Sequence, residues 1–76
     1  MEPTLTIDAR GLLCPLPVLK LQKRIKSLAA GNVLELIADD PAAVIDVPHY
    51  CNESGNELVK TEERETSTAY FVRKIA

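Results

Sequence analysis

The run Gly11-Leu12-Leu13-Cys14-Pro15-Leu16-Pro17 separates two incompatible hydrophobic periods. Before it, Leu5 and Ile7 alternate with Thr4 and Thr6, the period of a strand with one buried face. After it, Val18, Leu21, Ile25, Leu28 and Ala29 recur at helical spacing, while Lys20, Lys23, Arg24 and Lys26 fill the remaining faces. The chain must change from strand to helix within a few residues. Gly11 is the expected pivot of that turn. The period predicts a helix over residues 15–29, stopped by Gly31 with Asn32 in the turn.

Beyond the helix, residues 33–38 read as a second strand. Asp39-Asp40-Pro41 is a helix-start signal, an aspartate cap followed by proline at the first helical position. Pro48 cannot sit comfortably inside a helix, so two short pieces are predicted, over 41–46 and 48–53, the second ended by Gly55. Residues 57–61 and 68–75 read as strands joined by the acidic loop 62–67. In the order β-α-β-α-β-β, the first two strands should be parallel and the last two antiparallel. With only two helical elements to cover a four-stranded mixed sheet, an α+β two-layer sandwich with both helices on one face follows. Residues 1–76 are expected to form a single domain.

A chain of 76 residues buries only about 60% of its unfolded surface, so it is expected to work at its surface rather than in a deep cavity. Aromatic content of 4% argues against base-stacking platforms. The net charge of −2 is uneven: residues 1–30 carry five Lys/Arg against two Asp/Glu, and residues 31–76 carry four against nine. A basic helix on an acidic protein suits an acidic protein partner better than a phosphate backbone, so direct nucleic-acid binding is not expected. No run resembles a signal peptide or approaches membrane-spanning length, which makes a cytoplasmic location and free cysteines the expectation.

Cys14 is the candidate nucleophile. Taken as the helix N-cap, it would lie at the positive end of the peptide dipoles, which favours a thiolate. Pro15 and Pro17 would then occupy the first and third helical positions and remove two amide donors, leaving the Leu16 N–H to reach the sulfur. A modestly lowered thiol pKa is the expectation, suited to a sulfur that both accepts and passes on a group. The alternative is a buried cysteine acting as a small hydrophobe.

Other residues carry weaker signals. Asp8, ending a strand before a glycine turn, reads as a turn-stabilising acceptor. Arg10 fits equally an anion-stabilising cation and a solvated surface charge. Lys20, Lys23, Arg24 and Lys26 read as a wet helix face that doubles as a partner-docking surface. Cys51 falls at a core-like position and reads as packing rather than as a redox partner of Cys14. His49 and Cys51 fall short of a zinc ligand set, so neither metal nor cofactor is expected.

The run Asp8-Ala9-Arg10-Gly11-Leu12-Leu13-Cys14-Pro15-Leu16-Pro17 resembles the Cys-Pro-x-Pro signature of the TusA/SirA-type sulfur carriers. Ala38-Asp39-Asp40-Pro41 and Asp46-Val47-Pro48-His49-Tyr50-Cys51 resemble the family's second recurring block. The resemblance implies a sandwich similar to the C-terminal domain of bacterial translation initiation factor three. It also implies a persulfide on Cys14, supported by Asp8, Arg10, Gly11, Pro15, Leu16 and Pro17. Sulfur would come from a cysteine desulfurase or a rhodanese-like donor and pass to an acceptor protein. Family destinations include tRNA 2-thiouridine synthesis and sulfur oxidation. Such a carrier would be a monomeric co-substrate without turnover of its own. Two other functions stay open on the residues: a Cys14/Cys51 thiol–disulfide switch and a non-catalytic regulatory module.

Overall fold

Strand pairing begins with β1 (Leu5–Asp8) lying parallel to β2 (Val33–Ala38), with Leu5 opposite Leu34 and Asp8 opposite Ile37. The computed structural model describes residues 2–75. Between these strands runs α1 (Leu16–Ile25); after them come α2 (Ala43–Ser54), β3 (Glu57–Glu63) and β4 (Thr68–Arg73). The four strands form one sheet in the order β1-β2-β4-β3, with β4 antiparallel to both β2 and β3. The α+β architecture with parallel first and antiparallel last pairs is the one the sequence predicts.

One face of the sheet presents Ile7, Leu34, Leu36, Tyr70 and Val72 to Leu21 and Ile25 of α1 and to Ala43, Val47 and Cys51 of α2. Both helices therefore cover the same face. The opposite face carries a smaller cluster of Val33, Ala69 and Phe71. Among the described residues no helix covers it; long side chains do. Lys60 Nζ lies 4.8 Å from the Phe71 ring centroid, and Arg64 donates to the buried Glu35 carboxylate at 2.7 Å. Thr6 Oγ1 donates to the other oxygen of Glu35 at 3.0 Å, which leaves that buried acid fully partnered.

Several element boundaries differ from expectation. The first helix ends at Ile25, followed by i→i−3 turns in which Ser27 N–H donates to Arg24 O and Leu28 N–H to Ile25 O. Lys74 Nζ donates to the carbonyls of Lys26 and Leu28, satisfying orphaned acceptors where the helix stops, and Ala29 is exposed. The second helix is continuous through Pro48. Pro48 and Val44 both lie on its exposed side, so the Val44 carbonyl that lost its i+4 donor faces solvent and needs no protein partner. Gly55 closes that helix at φ +82°, its N–H reaching Cys51 O at 3.0 Å. At the hairpin, β3 extends two residues further than expected and β4 stops at Arg73, leaving Ile75 exposed.

Candidate functional site

Because β1 and β2 are parallel neighbours in register, the loops leaving their C-terminal ends emerge side by side. The first loop carries Gly11 and Cys14; the second carries Asp39 and Asp40. The two are clasped by backbone-to-carboxylate hydrogen bonds. Gly11 N–H donates to Asp39 at 3.0 Å and 3.2 Å, one contact to each oxygen. Cys14 N–H donates to Asp40 Oδ2, while Asp40 Oδ1 accepts from Ala42 N–H at 3.3 Å. Gly11 needs its glycine: its φ is +82°, a conformation that an L side chain adopts only with strain. Asp39 therefore holds the cysteine loop, and the expected cap, Asp40, lies ahead of the second helix, which has Ala42 at its N-cap.

The helix start also differs from expectation. Pro15, not Cys14, is the N-cap of α1, and no side chain caps that end. The Cys14–Pro15 peptide is cis. Leu16 N–H, the expected donor to the sulfur, is taken by Leu13 O at 2.8 Å, and Leu19 N–H by Pro15 O at 3.1 Å. Arg10 is likewise committed elsewhere. It makes a two-pronged pair with Asp8, Nε to Oδ1 at 2.9 Å and Nη2 to Oδ2 at 2.8 Å. Asp8 also accepts from the Arg10 N–H, as a turn acceptor should. The Arg10 guanidinium holds the Asp8 carboxyl down at about 2.

Cys14 is exposed and free. Its sulfur opens onto a cavity of about 280 Å³ walled by Pro15 and Val18 of the first helix region and by Asp46, His49, Tyr50 and Glu53 of α2. The Asp46 carboxylate on the cavity wall, an acceptor and a negative charge beside the thiol, pushes its pKa up, with partial desolvation and the charge of Asp40 adding to it. The expected lowering is thus reversed, because the nearest charges are acids and the donors a thiolate needs are used elsewhere.

Of the other residues singled out, Pro17 is buried beneath the helix start and Leu16 is 47% exposed beside the cysteine. Lys20, Lys23, Arg24 and Lys26 are exposed, and none lines the cavity. Lys23 and Arg24 sit in the last turn of α1, roughly 12 Å along the axis from its first residue. Cys51 is 4% exposed within the core, and burial pushes its thiol up to about 11. Among the described residues no cluster of three or more His, Cys, Asp or Glu is arranged to hold a metal ion. No helix of the described residues is long and apolar enough to cross a membrane.

Sequence reasoning assigned no site role to Asp39, Asp40 or Asp46. The first two could have been found from topology, since two parallel neighbours place their following loops together. Asp46 lies in the first turn of α2, on the side facing the cavity, and the predicted break at Pro48 obscured that continuity.

An exposed cysteine on a proline-framed loop, held over a two-helix, four-stranded sandwich, defines a class of small thiol proteins that work at their surface. A family model described as "Sulfurtransferase TusA" matches residues 5–74. A sulfur carrier protein TusA from Pseudomonas putida strain GB-1 is 42% identical over 97% of this chain and 92% of its own. One from Pseudomonas entomophila is 45% identical over 93% and 89%. A putative sulfur carrier protein, YrkF of Bacillus subtilis, is 39% identical over 97% of this chain, which spans 40% of that longer protein. The fold is similar to that of a SirA-like protein from Desulfitobacterium hafniense, with a TM-score of 0.84 at 23% identity, covering 96% of this chain and all of that one. The chain belongs to the TusA family.

Proposed function

We propose that the chain is a single carrier unit that holds sulfur as a persulfide on Cys14. The observation that carries this reading is the exposed thiol at the mouth of a small cavity, held by its own backbone N–H to Asp40 and reachable by another protein. Its relatives' names support the same reading. In the transfer step the Cys14 sulfur attacks the terminal sulfur of a donor persulfide. The donor's S–S bond breaks, its thiolate leaves with the electron pair, and the Cys14 proton ends on that leaving thiol. The products are Cys14–S–SH and the donor thiol, so no oxidant or reductant is consumed. The reverse exchange on an acceptor cysteine delivers the sulfur.

A cysteine desulfurase or rhodanese-like protein fits as donor, and a downstream protein cysteine fits as acceptor. tRNA thiolation or sulfur oxidation would be the destination, and the cytoplasm the setting. Exposed Leu13, Leu16, Val44 and Ile45 flank Cys14 and Asp46 along the chain and offer an apolar collar for a docking protein. Lys20, Lys23, Arg24 and Lys26 would form a second, more distant contact with an acidic region of the same partner.

The thiol–disulfide alternative is disfavoured by the burial of Cys51 and its raised pKa. Incubation with a cysteine desulfurase and cysteine, followed by intact-mass spectrometry, is expected to show one added sulfur on the wild type. None is expected on Cys14→Ser. An unmodified wild-type protein under active donor turnover would overturn the carrier reading.

A further inference from the structure

The Cys14 cavity is apolar toward the first helix and acidic toward the second. Pro15 and Val18 form one wall; Asp46, His49, Tyr50 and Glu53 form the other, with Asp40 on the adjoining loop. Two basic side chains, one on the cysteine loop and one on the cavity wall, already have acidic partners. Arg10 pairs with Asp8 at 2.8 Å, and His49 lies 3.8 Å from Glu53. The lysines and arginine of α1 do not reach the cavity. Cys14 therefore sits among two carboxylates, Asp46 on the cavity wall and Asp40 at its own backbone N–H, and no Lys or Arg lines its cavity.

Resting on the carrier reading of Cys14, we propose that Asp46 is a specificity-determining residue. Its carboxylate, on the wall of the cavity that Cys14 also lines, disfavours the thiolate and so keeps the sulfur unreactive toward small electrophiles and small persulfides. It thereby reserves Cys14 for a protein donor that sets a lysine or arginine against the carboxylate. Charge complementarity selects that donor: a cation at Asp46 neutralises the anion that shares the cavity with the sulfur. The proton can then leave as the S–S bond of the donor is attacked. The acids thus exclude reagents that bring no positive charge. In chemical terms Asp46 acts through Cys14 and touches no transferred atom.

The pH dependence of Cys14 alkylation by iodoacetamide tests this without any sulfur donor, so its outcome is separable from that of the carrier reading. In Asp46→Asn the alkylation midpoint should move to lower pH. Each pH unit of fall raises the thiolate fraction about tenfold at neutral pH. Because a less basic thiolate is a poorer nucleophile, the observed rate should rise only about threefold to fourfold per unit. Asp46→Glu, which keeps the acceptor and the helix-terminal charge, should restore the wild-type profile. In parallel, the ratio of loading by cysteine desulfurase to loading by glutathione persulfide should fall several-fold in Asp46→Asn. An unchanged alkylation midpoint in Asp46→Asn would overturn the proposal. So would equal changes in both variants, which would mark a packing effect, or a loading ratio that does not move.

Discussion

Cys14 and Cys51 show how placement alone divides one chemistry into two roles. Cys14 is exposed, with its backbone held by Asp40 and its side chain sharing a cavity with Asp46; Cys51 is enclosed by the core of both helices and the sheet. Native protein treated with iodoacetamide should take up one alkyl group, on Cys14. The second should add only on denaturation, as read by peptide mass mapping. The buried thiol also makes stability depend on pH. Its folded pKa of about 11 exceeds the ordinary thiol value of 9.0, so burying it neutral stabilises the fold fully below pH 9.0. That contribution falls away between pH 9.0 and about 11. Cys51→Ala should lose less stability than the wild type across that window in urea titrations. At this scale the exposure of Cys14 was legible from its glycine and prolines, and so was the burial of Cys51. The thiol's acidity was not legible, because it depends on which acids a distant loop and helix bring to it.

Among the elements, α2 tests a rule about proline most directly. Pro48 removes one internal hydrogen bond, and sequence reasoning broke the helix there; the chain instead keeps the helix whole because Val47 and Cys51 bury their side chains on its inner face. Packing outweighs a local penalty when the freed carbonyl points outward. Pro48→Ala should return a donor to Val44 and raise unfolding stability by about 1 kcal/mol or more, measured as an increase in the urea midpoint. The first helix gives the complementary lesson. Its apolar period continues to Leu28, yet regular helix ends at Ile25, because turn bonds and Lys74 offer its last carbonyls other partners. Periodicity reports which side chains face the core; it does not report where the backbone stops.

At the level of the whole molecule, the strand and helix order was legible because each period change falls at a glycine or proline. The sheet order β1-β2-β4-β3 was not, since pairing between distant strands leaves no local mark. The fully buried side chains of Leu21, Leu34, Leu36, Val47 and Val72 tie the layers together. Leu21→Ala should cost about 3 kcal/mol. Against an overall stability of about 4–11 kcal/mol for a domain of this length, that is a large share. A urea midpoint lowered by about 2 M would report it. The outermost strands have a different consequence. β1 is only four residues long, and β3 is bulged between Leu58 and Lys60 and carries Glu57, Lys60, Glu62 and Glu63. A ribbon that is short, or bent and dressed in charge, gives another copy no template for extending the sheet. Joining of two copies edge to edge is thus disfavoured at both rims of the sheet.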